Sequence, residues 1–123
     1  MEQEKVQELR FLKGAFDFLK LLARKLKFSQ TIINSAMFYL LKYTRVYPYT
    51  SMNKYLVAAS CLLLAAKVRT EPIPMEYLVE WYIWAEYKRI NSKANPHISD
   101  KMKSDYRARI EEQEFDILSL IHI

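Results

Sequence analysis

Residues 55–66 form a stretch that is apolar on every helical face and ends directly before Lys67. The stretch reads Tyr-Leu-Val-Ala-Ala-Ser-Cys-Leu-Leu-Leu-Ala-Ala. A helix at a protein surface carries polar residues on one side, whereas a helix without a polar side is buried all round. The stretch is too short for a membrane span, which needs about 20 apolar residues. The sequence therefore predicts a helix at the centre of a domain, with other helices packed around it.

Apolar periodicity and helix breakers predict four further helices. The chain is 51% hydrophobic and contains one glycine and four prolines, which argues against a turn-rich β protein. Stripes with spacings of three and four residues begin at Leu12, Ile32 and Tyr106. A further helix from Met75 to about Ile90 follows a proline, which suits a first-turn position. We therefore expect a single all-α domain over residues 1–123.

Gly14 interrupts the stripe of the first helix. Glycine destabilises a helix interior relative to alanine, so its presence there needs a reason. We expect Gly14 to mark a close crossing with another helix.

Glu114 lies on the inward stripe of the last helix, four residues after Ile110 and three before Ile117. An unpaired buried charge is very costly, so both Glu114 and Lys67 need partners. The pair is either a structural clamp within the domain or part of a site that binds another molecule.

Residues for catalysis or metal binding are not grouped in the sequence. His97 and His122 are isolated, and Cys61 has no histidine or acid beside it. Glu112 and Asp116 share an exposed helical face, where acids ordinarily serve as solvating charges. We expect no enzyme activity, no metal and no cofactor. The single cysteine fits a reducing compartment, so we expect the chain in the nucleus or the cytoplasm.

Charge and aromatic residues are unevenly distributed. Residues 18–70 contain no Asp or Glu but nine Lys and Arg. This asymmetry suggests an acidic partner or a solvated surface with scattered lysines. The fourth predicted helix carries rings on more than one face, so some of them lie at the surface or against a partner: Tyr77, Trp81, Tyr82, Trp84 and Tyr87.

Three segments resemble successive helices of the cyclin box. Residues 32–45 resemble its second helix and residues 55–68 its third. Residues 110–115, Ile-Glu-Glu-Gln-Glu-Phe, resemble the start of the fifth, especially the Glu-x-Glu-Phe form of transcriptional cyclins such as cyclin C. The resemblance spans roughly residues 12–123. It implies the first, N-terminal cyclin box, with five helices and the third threaded through the other four, and no second box in this chain.

The resemblance also implies a function, which is to bind and activate a cyclin-dependent protein kinase through the third and fifth helices. The lysine and glutamate with which the family binds the backbone of the kinase's regulatory-helix region map onto Lys67 and Glu114. The apolar residues around the pair are candidate kinase contacts or plain core: Leu63, Leu64, Val68, Ile110 and Phe115.

The sequence departs from the family pattern at two points, of which the first bears on the choice of kinase and the second favours the transcriptional branch. Arg69 and Thr70 stand where cyclins usually carry two acids, and residues 11–15 lack the substrate-docking sequence of cell-cycle cyclins. We therefore expect a kinase and transcription machinery as partners, with no direct binding to nucleic acid or membranes.

Two alternatives remain open at this stage. A scaffold similar to the B-type general transcription initiation factors would use the same fold to bind nucleic acid. The acid-free stretch fits such a scaffold loosely, whereas Glu114 favours a cyclin. A small helical adaptor would keep the fold without activating a kinase.

Overall fold

Helices dominate the computed structural model, which describes residues 2–93 and 95–121. The elements are α1 (Glu2–Lys25), α2 (Gln30–Val46), a short 3₁₀ helix (Tyr49–Ser51), α3 (Lys54–Val68), α4 (Met75–Ile90) and α5 (Asp100–Ile121). No strand occurs within the described ranges. None of the described helices combines the length and hydropathy that a membrane span requires. The predicted all-α fold of five helices is confirmed.

The third helix, α3, is the buried centre of the domain. Its residues are buried without interruption from Val57 to Ala66. This helix packs closely against α1, α2 and α5, whereas α4 packs mainly on α1 and α5. The all-round apolar sequence explains this position, because the polar side chains of α3 that require solvent lie only near its two ends. The predicted central helix is confirmed. Three helices pack closely around it, and α4 lies farther from it.

Side-chain hydrogen bonds define where α2 and α3 begin. The Ser29 hydroxyl accepts a hydrogen bond from the backbone N–H of Ile32 at 3.4 Å and donates one to Glu71 Oε1 at 3.0 Å. Ser29 thereby connects the start of α2 with the segment that follows α3. At the start of α3, the Asn53 side chain accepts hydrogen bonds from two first-turn backbone amides. Both are ordinary N-caps, which satisfy amides that have no partner within the helix.

The chain reverses sharply just after α3. Thr70 has a φ of 55°, in the left-handed region. The backbone N–H of Glu71 reaches back to the carbonyl of Ala66 at 3.1 Å, as in a Schellman motif. The chain therefore turns away directly after the last turn of α3, and Lys67 is left at the edge of the domain.

The space beside Gly14 is occupied by the side chain of Lys54, not by the backbone of another helix. A Cβ at this position would lie 2.8 Å from the Nζ atom of Lys54, and its three nearest neighbours would all belong to the Lys54 side chain. The predicted close helix crossing is therefore wrong, because the nearest neighbour is the mobile end of a lysine.

Candidate functional site

Lys67 and Glu114 form an ion pair at the edge of the interface between α3 and α5. Lys67 Nζ lies 2.9 Å from Glu114 Oε1. The lysine side chain is 50% exposed, whereas the glutamate side chain is only 9% exposed. The structure thus brings together the two charges that the sequence singles out. In the chain alone they clamp α5 to α3, and part of the lysine remains open to solvent.

A buried hydrogen bond joins the same two helices beneath the ion pair. The Ser60 hydroxyl donates to the backbone carbonyl of Ile110 at 3.0 Å. Ser60 precedes Lys67 by about two helical turns, and Ile110 precedes Glu114 by about one. The hydrogen bond and the ion pair therefore hold α5 against α3 at two points.

A third polar contact links α5 to α2. Gln113 Nε2 donates a hydrogen bond to the Tyr43 hydroxyl at 2.9 Å. Burial raises the pKa of Tyr43 and outweighs the lowering effect of the Gln113 hydrogen bond. The phenol therefore stays protonated at neutral pH and remains a suitable partner for the amide. Together with Ser60, this contact restricts how α5 can turn about its own axis.

An open groove of about 360 Å³ lies beside the ion pair. Val68 and Phe115 present apolar surface there, with 54% and 71% of each residue exposed. Leu64 is buried at the floor of the groove. We call Val68 and Phe115 the apolar rim. A group of apolar side chains around a half-open charge is typical of a protein-binding surface.

Leu63 and Ile110 lie in the core, away from this surface. Both are fully buried, so they offer no side-chain surface to a partner. The position of each residue around the helix explains the difference. Leu64, Lys67 and Val68 lie three and four residues apart and share the open side of α3, whereas Leu63 faces inward. Of the two roles left open for these residues, their burial favours plain core, and contact of Leu63 and Ile110 with a kinase stays a prediction.

Other reactive groups do not join the site. Cys61 is buried, and burial raises the pKa of its thiol. The neutral thiol is a poor nucleophile. Within the described ranges, no three His, Cys, Asp or Glu side chains lie close enough together to hold a metal ion.

Sequence reasoning missed Ser60, Tyr43 and Gln113. Ser60 carries the one aliphatic hydroxyl in the apolar stretch, and that isolation is the signal that would have pointed to it. The contact of Gln113 with Tyr43 joins residues far apart in the chain, and no local pattern indicates it.

Comparison with known proteins decides the family. A family model of the cyclin N-terminal domain matches residues 1–122. The chain belongs to the cyclin family. Its relatives include cyclin-T1 of Mus musculus and cyclin-T1 of Equus caballus, each 30% identical over 74 residues. The aligned part covers 60% of this cyclin chain but only 10% of either relative. The resemblance to a first cyclin box is therefore confirmed, while the chain spans a small part of those proteins.

Proposed function

We propose that this cyclin box binds a cyclin-dependent protein kinase at the edge between α3 and α5 and activates it. The observation that carries the proposal is the half-open ion pair of Lys67 and Glu114 beside the apolar rim. A lysine ammonium has three hydrogen-bond donors. The Glu114 carboxylate occupies one of them. The others can bind backbone carbonyls of a partner segment.

The apolar rim supplies the second half of the proposed interface. Val68 and Phe115 are exposed on either side of the groove, and a partner that covers them removes apolar surface from water. The same coverage removes water from around Lys67. Hydrogen bonds made by the lysine then become stronger, because the local dielectric constant falls. Apolar and polar contacts therefore reinforce each other at this edge.

Activation would act on the conformation of the kinase, since the cyclin supplies no catalytic group. An active kinase needs an ion pair between its ATP-site lysine and a glutamate of its regulatory helix. A subunit that binds the active position of that helix more tightly than the inactive one shifts the population toward activity. In this proposal, Lys67 and the apolar rim provide that difference in affinity.

We place this cyclin in the transcriptional branch, with the nucleus as its setting. The Glu-x-Glu-Phe run at residues 112–115 resembles transcriptional cyclins, and the relatives described above are cyclins T1. Arg69 replaces an acid that cyclins usually carry after α3, and its guanidinium lies 3.5 Å from the Ser35 hydroxyl. A positive charge at this point favours a kinase with acidic residues opposite it.

The alternative function is a cyclin-fold scaffold that binds nucleic acid. The observation in its favour is the acid-free stretch of residues 18–70. Against it, Lys67 is already paired with a carboxylate, whose negative charge would repel a phosphate. We therefore retain the kinase as the first proposal.

Affinity purification from the native cell, followed by identification of any co-purified kinase, supplies the partner for a direct test. That kinase is then assayed with and without the purified chain. A matched control is Lys101→Ala, which removes an exposed lysine from the far end of α5. We expect a stable complex and higher kinase activity with the wild type and the control. If no kinase binds, but DNA binds with a steep salt dependence, the scaffold alternative replaces this proposal.

A further inference from the structure

The first turns of α1 are open to solvent. Every residue from 2 to 10 is exposed. One face of this part of α1 contacts the domain: Gln7 Oε1 accepts a hydrogen bond from the Tyr49 hydroxyl at 3.3 Å, and the Phe11 ring centroid lies 5.5 Å from that of Tyr49. The opposite face of these turns is therefore free to bind another molecule.

Two apolar residues lie on that opposite face. Val6 is 46% exposed and Leu9 is 65% exposed. Leu9 follows Gln7 by two residues, which places it on nearly the other side of the helix from the Tyr49 contact. Val6 shares this side because it precedes Leu9 by three residues.

Two charged residues extend the same face in both directions. Glu2 precedes Val6 by four residues, and Lys13 follows Leu9 by four. Spacings of four, three and four are those of the contact face in a coiled coil. We call these four residues the α1 open face. It has an acid at one end, a base at the other and an apolar pair between them.

The charge of α1 as a whole is divided in the same way. Residues 2–8 contain three acids and one base, whereas residues 9–25 contain five bases and one acid. The helix dipole favours acids in the first turn, which explains Glu2 but not the exposed apolar pair beside it. A helix with this division of charge is complementary to a second copy of itself that runs in the opposite direction.

We propose that the α1 open face binds the α1 open face of a second copy of this chain, in antiparallel orientation. Val6 of each copy packs on Leu9 of the other, and Glu2 of each copy lies opposite Lys13 of the other. A two-fold symmetric interface requires such reciprocal pairs. A single alignment of the two helices satisfies the apolar and the charged pairs together.

The charges also select the orientation of the two helices. A parallel pair would place Glu2 opposite Glu2 and Lys13 opposite Lys13, and like charges across an interface are unfavourable. Lys13 already lies 3.3 Å from Asp17, but both side chains are mainly exposed. Its ammonium has three hydrogen-bond donors, so Lys13 can contact Glu2 of the second copy as well.

The proposed contact ends where α1 enters the bundle. Ala15, two residues after Lys13, is the first buried residue of α1. The paired segment of residues 2–13 is about 17 Å long. Two helices of this length bury less than the roughly 1,600 Å² of a standard interface. We therefore expect a weak dimer whose fraction increases with protein concentration.

This proposal goes beyond kinase binding and does not depend on it. The ion pair of Lys67 and Glu114 and the apolar rim belong to α3 and α5, and none of these residues is part of the α1 open face. Failure of either proposal therefore leaves the other standing.

Sedimentation velocity over a wide range of concentrations measures the dimer, and charge reversal tests its contacts. Glu2→Lys alone and Lys13→Glu alone each place like charges opposite one another at both ends of the pair. We expect each to dimerise about fivefold more weakly than the wild type, or weaker still. A mixture of the two variants restores opposite charges at both ends, so we expect heterodimers of wild-type affinity.

Matched controls are Glu112→Lys and Lys101→Glu, which make the same charge changes at exposed positions of α5. We expect each control to dimerise within about twofold of the wild type, without a gain on mixing. Circular dichroism checks the fold of all four variants. Leu9→Ala provides a second test that leaves the charges unchanged, and we expect it to weaken the dimer.

Disulfide cross-linking tests the alignment of the two helices. In the antiparallel pair, position 6 of one copy lies opposite position 9 of the other. We therefore expect a mixture of Val6→Cys and Leu9→Cys to cross-link faster under mild oxidation than either variant alone. The wild type, whose single cysteine is the buried Cys61, supplies the background rate.

Three results would overturn the proposal. The wild type stays monomeric at the highest concentration reached. The mixed charge variants dimerise no better than each variant alone, or the α5 controls weaken the dimer equally. Each cysteine variant cross-links with itself as fast as with the other, as a parallel pair would.

Discussion

Lys67 Nζ lies 2.9 Å from Glu114 Oε1, yet solvent reaches mainly the lysine. The two partners of this ion pair therefore have different roles. In our account Glu114 orients the ammonium from inside the domain, and Lys67 presents it to the kinase. The same ion pair can therefore serve both roles: Glu114 helps to hold α5 against α3, and the half-exposed Lys67 stays accessible to a partner.

The unequal burial of the pair predicts unequal effects on stability. Lys67→Ala leaves a carboxylate buried without its partner, and we expect it to lower the free energy of unfolding by about 1–3 kcal/mol. Glu114→Gln leaves a lysine that water can still reach, and we expect a loss below about 1 kcal/mol. Urea unfolding followed by circular dichroism measures both values. A larger loss for Glu114→Gln than for Lys67→Ala would contradict the assigned roles.

Ser60→Ala should weaken the connection between α3 and α5 without unfolding the domain. The variant loses one buried hydrogen bond, which is worth about 0.5–1.5 kcal/mol. The Ile110 carbonyl keeps its place in the helical hydrogen-bond ladder of α5. We also expect a smaller coupling energy between Lys67 and Glu114 in the Ser60→Ala background, because α5 is then less firmly held.

Double-mutant cycles on unfolding free energies test this coupling, with and without Ser60. The control background is Ile83→Val, a core substitution in α4 with a similar expected cost of about 0.5–1.5 kcal/mol. An unchanged coupling energy in the Ser60→Ala background would show that Ser60 only stabilises the core.

Gly14→Ala should stabilise the protein. Alanine in a helix interior is favoured over glycine by up to about 1 kcal/mol. The three atoms nearest to the added Cβ all belong to the Lys54 side chain, whose flexible amine can move aside. Thermal unfolding of the variant checks the sign. A lower melting temperature would mean that Lys54 is held in place more strongly than its contacts indicate.

Cys61 should react slowly with thiol reagents in the folded protein. The residue is buried, and burial raises the pKa of its thiol, so both access and the reactive thiolate form are disfavoured. Since the chain has no other cysteine, the labelling rate reports on this position alone. We expect the rate to rise with urea in parallel with unfolding. Rapid labelling without denaturant would contradict the packing of α3.

Local patterns predict the helices well where one face meets the core. The predicted range of α4 agrees with Met75–Ile90. The apolar stripe that predicts α1 begins at Leu12, whereas the helix already begins at Glu2. Its first turns leave Val6 and Leu9 exposed, so they carry no inward stripe by which a pattern could detect them.

The residues of the candidate site are harder to predict from the sequence than the helices are, for a physical reason. Because α3 is apolar all round, no polar face shows which of its leucines points outward. The sequence therefore cannot separate Leu64, at the groove, from Leu63, in the core. Glu114 was recognisable because a charge interrupts an apolar stripe. The hydrogen bond from Ser60 to α5 joins distant parts of the chain, and only the packed fold reveals it.

Affinity for the partner kinase tests the central claim most directly. Isothermal titration calorimetry is carried out on the wild type, Lys67→Ala and the control Lys101→Ala, with circular dichroism to confirm that each is folded. We predict that Lys67→Ala loses about 2–5 kcal/mol of binding free energy while the control binds like the wild type. Binding of a folded Lys67→Ala variant with wild-type affinity would contradict the account.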